Sequence, residues 1–259
     1  MNTSEAPLFS ARNLTKFYGE RIGCKDISFD IWPGEVLAIV GESGSGKSTL
    51  LQVLSQRMPA SSGSVHYQLG SAFTDLASLN EAQRRQLQRT DWGFVHQDAR
   101  EGLRMNVSAG ANVGERLMAV GWRHYANIRA RVEDWLSRVE IDAARMDENP
   151  RVFSGGMRQR LQIAKNLITE PKLIFMDEPT GGLDVSVQAR LLDLIRSLVA
   201  DLNLSVIIVT HDLSVARLLS HRILVMKDGH VIEQGLTDQV LDDPHQPYTQ
   251  LLTSSVLAA

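Results

Sequence analysis

Residues 36–48 read Val36-Leu-Ala-Ile-Val40-Gly41-Glu-Ser43-Gly44-Ser-Gly46-Lys47-Ser48. The first five are apolar without polar alternation, the pattern of a strand buried on both faces of a parallel sheet. The remaining eight fit the phosphate-loop pattern, which needs a buried strand before it and a helix after it. Its glycines let backbone N–H groups turn inward around a phosphate chain, and the positive end of the following helix adds attraction. Lys47 supplies a mobile cation for β- and γ-phosphates, and the Ser48 hydroxyl is a Mg²⁺ ligand. A glycine-rich turn that binds nothing is the competing reading, but turn geometry does not explain Lys-Ser at this spacing.

Outward from this loop, the runs 173–176, 206–209 and 223–226 have the same Val-, Ile- and Leu-rich character. Between two of them, Val187, Leu191, Ile195, Leu198 and Leu202 line one face of a helix whose other face carries Arg190, Asp193 and Arg196. Strand and helix in alternation imply an α/β fold with right-handed crossovers. Two regions depart from that rhythm. The stretch 98–165 has few strand signals, but Ile128, Val132, Trp135 and Val139 fall at helical spacing, so it reads as a helical insertion. The first 32 residues and residues 64–67 mix polar and apolar positions, as an antiparallel sheet with one solvated face does. Asp228-Gly229 is a hairpin signal. No internal repeat or low-complexity tract occurs. The expected organisation is residues 1–97 as the first part of a nucleotide-binding core (an antiparallel β-subdomain plus the phosphate loop), 98–165 as an inserted α-helical subdomain, and 166–259 as the second part of the core with a C-terminal tail.

Leu173-Ile-Phe-Met-Asp177-Glu178-Pro179 presents two carboxylates at the C-terminal end of a buried strand, the edge where ligands sit in open α/β sheets. There Asp177 is expected to hold Mg²⁺ and Glu178 to orient and polarise the attacking water. Phe153-Ser154-Gly155-Gly156-Met157 precedes an amphipathic segment in which Met157, Leu161, Ala164 and Ile168 share a face, so Ser154 stands where an N-cap belongs. Glycines there leave backbone N–H groups uncovered, and such a helix start attracts anions. Since the chain already has one phosphate cradle, the second is expected to close over the nucleotide of a partner subunit, with a plain helix cap as the alternative.

Taken in order, these motifs resemble the ATP-binding cassette (ABC) ATPases: the phosphate loop, a lone Gln97, the Ser154-Gly155-Gly156 signature, Asp177-Glu178, Gly181-Gly182-Leu183-Asp184, and His211 after an apolar run. The resemblance covers nearly the whole chain. It implies a P-loop NTPase fold of the ABC nucleotide-binding type, with an N-terminal antiparallel β-subdomain and an inserted α-helical subdomain. It also implies ATP with Mg²⁺ as ligands and ATP hydrolysis as the activity. By the same resemblance Gly41, Ser43, Gly44, Gly46, Lys47, Ser48 and Thr49 hold the phosphates, Tyr18 stacks on adenine, and Gln97 senses the metal and γ-phosphate. Asp184 contacts the opposite subunit, and His211 clamps the γ-phosphate; Glu178, His211 and Lys47 form the catalytic set. Taken singly, Gln97 also fits a loop polar residue, His211 a strand-end cap and Tyr18 an edge packing residue.

The signature with Arg158-Gln159-Arg160, and Asp243-Pro-His-Gln-Pro-Tyr248-Thr249 near the end, resemble cassettes of oligopeptide and dipeptide importers. The segment after Gln97 departs from them: Asp98-Ala-Arg100-Glu-Gly-Leu-Arg104-Met-Asn-Val-Ser-Ala-Gly110 stands where a proline and a Ser-Leu-Asn-Pro stretch are usual. That segment, with Gly114-Glu-Arg-Leu-Met118, Arg123-His124-Tyr125 and the run 179–193, resembles the ABC-type ATPase subunit of the bacterial carbon-phosphorus lyase system, which breaks down phosphonates. The implied partners are a second copy of this chain, the soluble lyase core complex, and a second related cassette as a further candidate. An importer's energising subunit is the alternative. The lyase reaction itself belongs, in that family, to a radical enzyme with an iron-sulfur cluster, which the single Cys24 cannot ligate.

Composition bounds the rest. The 259 residues allow one to two domains. Lys plus Arg number 27 and Asp plus Glu 30, a net charge of −3, which speaks against a nucleic-acid backbone as the main partner. Arg84, Arg85, Arg89, Arg100 and Arg104 fit either an acidic partner surface or a solvated face. No run approaches the ~20 apolar residues of a membrane span. Residues 1–10 do not read as a secretory signal. One cysteine, read as a buried thiol, favours a reducing compartment, so a cytoplasmic location without membrane insertion is expected.

Overall fold

A computed structural model describes residues 6–257; residues 1–5 and 258–259, the outer ends of the expected 1–97 and 166–259 segments and half of the stretch read for a secretory signal, lie outside the described residues. The chain forms two compact units. One holds residues up to 80 and from 205 onward, the other residues 81–204. The 98–165 stretch therefore lies inside the second unit.

The first unit opens with β1 (Phe9–Tyr18), β2 (Arg21–Ile31), β3 (Val36–Val40), α1 (Lys47–Leu54), β4 (Ser62–Leu69) and β5 (Ala72–Asp75). β2-β1-β4-β5 form an antiparallel sheet. β4 alternates as expected: Val65 and Tyr67 are buried, while Ser64 and His66 between and beside them are half-buried. Cys24 on β2 is fully buried, and that burial pushes its thiol up to about 11, which leaves it inert.

The second unit comprises α2 (Glu81–Thr90), β6 (Trp92–Val95), α3 (Ala99–Gly102), α4 (Ala109–Ala119), α5 (Tyr125–Arg138), α6 (Gly155–Leu167), β7 (Leu173–Asp177) and α7 (Val185–Leu202). β6 and β7 pair in parallel. The expected stripe of α7 packs through Leu191, Ile195 and Leu198, widened by Leu192 and Leu194. α2 escapes a periodicity reading because Leu87 is its sole buried residue. Its C-terminal end is held by Arg116, whose guanidinium donates to the carbonyls of Arg89 at 3.1 Å and Trp92 at 2.6 Å. Burial pushes that guanidinium down to about 10.

The chain returns to the first unit with β8 (Ser205–Thr210), α8 (Leu213–Leu219), β9 (Arg222–Lys227), β10 (His230–Leu236), α9 (Thr237–Asp242) and α10 (Pro247–Leu257). There β3 pairs in parallel with β8 and with β9, and every residue of β3 and β8 is buried, as their unbroken apolar runs require. β9 and β10 form the expected hairpin, with Asp228 at φ 48° and Gly229 at φ 79°, the left-handed pair that a tight two-residue turn needs. Among the described residues no helix is long and apolar enough to cross a membrane.

Candidate nucleotide site

In the first unit the phosphate loop runs from the end of β3 into α1. A Cβ at Gly41 would stand 2.2 Å from the Met226 carbonyl oxygen, and one at Gly46 2.1 Å from that of Gly23. The loop is thus squeezed against β9 and β2 with no room for side chains at those two positions, and Gly46 adopts φ 101° as it enters the helix. Lys47 is buried, and its ammonium donates to the carbonyls of Gly41 at 2.7 Å and Glu42 at 2.8 Å, which keeps the cation within the curl of the loop. Ser43, Gly44 and Ser48 are exposed and Thr49 half-buried. His211, one residue past β8, lines a cleft of about 250 Å³ together with Gly41, Glu42 and Ser43. Tyr18, at the end of β1, is 45% exposed and its hydroxyl contacts the Met58 sulfur at 3.0 Å, leaving ring surface for stacking.

In the second unit the parallel register of β6 and β7 sets Val95 opposite Met176. Two residues further along each strand stand Gln97 and Glu178, and the Gln97 amide donates to the Glu178 carboxylate at 3.1 Å. Glu178 has φ 41°, a left-handed backbone that costs a side-chain-bearing residue about 1–2 kcal/mol. Such strain clusters at functional positions. The turn after Glu178 is closed by the Gly181 amide donating to the Glu178 carbonyl at 2.9 Å. A Cβ at Gly181 would come within 3.3 Å of the Gln97 amide nitrogen, so the glycine leaves room for that contact. Asp177 ends β7, half-buried.

Ser154 is the N-cap of α6 as expected: its hydroxyl accepts from the Met157 amide at 3.2 Å. The two glycines behind it differ. Gly155 is exposed, whereas Gly156 is buried, and its absent side chain admits Val187 of α7, whose Cγ1 would lie 2.5 Å from a Cβ there. Asp184 is the exposed N-terminal flank of that same α7. The structure therefore brings the signature and the start of α7 together.

A polar network unread in the sequence backs this helix. Gln159, Gln162 and Asn166 lie at helical spacing on α6 and are all buried. The Gln162 side chain accepts from the His96 amide at 2.7 Å and donates to the His96 carbonyl at 3.1 Å. Gln159 donates to the same carbonyl at 3.1 Å, and Asn166 accepts from the Phe94 amide at 3.0 Å. The signature helix is thus zipped onto β6, one residue before Gln97. Gly102 of α3 leaves the space Gln162 fills: a Cβ there would stand 2.1 Å from the Gln162 oxygen. The divergent segment after Gln97 is ordered by fully buried Asn112, whose amide donates to the carbonyls of Arg104, Val107 and Ser108 and whose oxygen accepts from the Arg104 amide at 2.7 Å.

A family model described as ABC transporter matches residues 24–181. The chain belongs to the ABC transporter family. It is 64% identical over 251 residues to PhnK of Escherichia coli K12, named as a phosphonates utilization ATP-binding protein, covering 97% of this chain and 98% of that one. It is 37% identical to a protein of Brucella abortus named for peptide import and ATP binding, covering 97% of this chain and 77% of that one. Among solved structures, a dimer of the ATP-binding cassette MJ0796 in a post-hydrolysis state with ADP and Pi superposes with a TM-score of 0.78 at 30% identity, covering 88% of this chain and 98% of that one. The cassette described here is an ATP-binding, ATP-hydrolysing subunit of this family, with the antiparallel subdomain and helical insertion the resemblance implied.

Proposed function

We propose that the cassette works as a homodimer with two composite ATP sites and drives conformational change in a carbon-phosphorus lyase complex during phosphonate catabolism. The observation that carries this reading is the 64% identity along nearly the full length of both chains to a protein named for phosphonates utilization. In it, residues 98–165 serve as the helical subdomain that meets the partner. Among the phosphate-loop residues, Lys47 neutralises β- and γ-phosphate charge, and the Gly41, Ser43, Gly44, Gly46 and Thr49 positions supply the cradle. Tyr18 stacks on the adenine. Glu178, held by Gln97, accepts a proton from the attacking water, and His211 orients that water against the γ-phosphate. Ser154, Gly155, Gly156 and Asp184 close over the nucleotide bound to the other copy.

Ser48, Asp177 and the Gln97 side-chain carbonyl offer only hard oxygen donors, a set that suits Mg²⁺ and leaves most of its ligands to water and phosphate. When bound, that ion neutralises charge developing on the β- and γ-phosphate oxygens.

The single cysteine and the slightly negative overall charge support a cytoplasmic place beside a soluble partner rather than on nucleic acid. The 37% identity to a peptide import protein favours the second reading, an importer's energising subunit. Affinity purification of tagged Glu178→Gln cassette with ATP from its own cells separates them. Soluble lyase subunits in the eluate support the proposal; integral membrane permeases overturn it.

A further inference from the structure

The tail motif Asp243-Pro-His-Gln-Pro-Tyr248-Thr249 has no part in the chemistry above, yet it reaches the phosphate loop. α10 begins at Pro247, where the missing N–H costs nothing. Just ahead of it, the amides of His245 and Gln246 donate to the Glu233 carboxylate of β10 at 2.8 and 3.1 Å. An acidic group at a helix start is favourable, so β10 fastens the tail by its N-terminal end. Burial pushes the Glu233 carboxyl up, but the hydrogen bonds it accepts from the tail outweigh that and hold it below its usual range.

Tyr248 then projects onto the loop. Its phenol oxygen accepts from the Glu42 amide at 3.0 Å, and the Lys227 ammonium stands 4.9 Å from the ring centre. Leu252, one turn further along α10, lines the same cleft as Gly41, Glu42, Ser43 and His211. The peptide unit between Gly41 and Glu42 is consequently gripped at both ends, its carbonyl by Lys47 and its N–H by Tyr248. Each contact polarises the other, since a carbonyl that accepts from a cation makes its own N–H a stronger donor. An ammonium engaged with phosphates has less hold on that carbonyl, and the orientation of the peptide then falls to the tyrosine.

We propose that Tyr248 is a positioning residue for ATP: its hydroxyl presets the first peptide of the phosphate loop, and Glu233 holds the helix that carries it. The C-terminal tail is thus part of the nucleotide site by way of the loop, without touching the nucleotide. Tyr248→Phe keeps the ring, its packing and the Lys227 contact and removes only the hydroxyl that accepts from Glu42. The expected result is a rise of about five-fold in both the KM for ATP and the Kd of a fluorescent ATP analogue, the effect of one net hydrogen bond. The kcat should stay within two-fold, and the melting temperature of the nucleotide-free protein should fall by no more than about 4 °C, the weight of one net hydrogen bond. Glu233→Gln should raise the same KM, and the double variant should add little to the larger single effect, because both act along one path. Unchanged KM and Kd in Tyr248→Phe, or a larger fall in melting temperature with kcat lost as much as affinity, overturns the assignment.

Discussion

In the proposed mechanism Glu178 carries the chemistry of the second unit. Its backbone is left-handed, and the Gln97 amide donates to its carboxylate at 3.1 Å. Glu178→Gln keeps size and shape and still accepts from Gln97 through its amide oxygen, but it takes up no proton from water. ATP should bind it normally, while steady-state phosphate release falls by at least about 100-fold, the usual weight of a general base. Near-normal release would remove Glu178 from that role. Lys47 makes a contrasting case, because its proposed role is on charge already present in bound ATP. Lys47→Ala should weaken ATP binding itself by about ten-fold or more, read by titration of a fluorescent analogue; unchanged affinity contradicts the cradle. Residue type and spacing singled out both residues in the sequence, and the structure places Lys47 within the curl of the loop and Glu178 against Gln97. The positive φ of Glu178 was not legible there, because nothing in a glutamate's chemistry announces a strained backbone that its surroundings impose.

At the scale of elements, α6 shows why periodicity captures only part of a buried helix. Met157, Leu161, Ala164 and Ile168 mark one apolar face, yet Gln159, Gln162 and Asn166 are buried too. Amides read as solvent-facing when only apolar residues are counted, and here they meet backbone groups of β6 instead. Gln162 satisfies both the N–H and the C=O of His96. Gln162→Leu would strand the His96 N–H, since Gln159 still donates to the carbonyl, at about 1–3 kcal/mol for a buried group left unmade, so urea unfolding should show a loss of about 2 kcal/mol. A loss below about 0.5 kcal/mol, the scale of a neutral surface change, would show that the zipper does not hold the helix. α2 went unread for the opposite reason: with one buried leucine its pattern carries no period to detect. β3, β7, β8 and β9 were legible because strands buried on both faces tolerate few polar residues.

At the scale of the whole molecule, a near-neutral charge of −3 suits the proposed face-to-face closure of two copies, where a large charge of one sign would resist approach. The MJ0796 cassette, 30% identical, is dimeric with ADP and Pi bound. In the present cassette Gly155 and the Ser154 N-cap lie exposed beside the start of α7, a surface a facing nucleotide can meet. The sequence suggested the signature's glycines as an anion cradle, with a plain helix cap as the alternative, but gave no sign that Gly156 is committed to Val187, since that packing joins helices far apart in the chain. The central claim, ATP-driven closure of two copies through the signature, is tested most directly by sedimentation velocity of Glu178→Gln with and without ATP, alongside Glu178→Gln/Ser154→Arg. The expected result is a dimer of the single variant with ATP and a monomer without it, while the double variant binds ATP and stays monomeric. A single variant that stays monomeric with ATP bound, or a double variant that dimerises as readily, would contradict it.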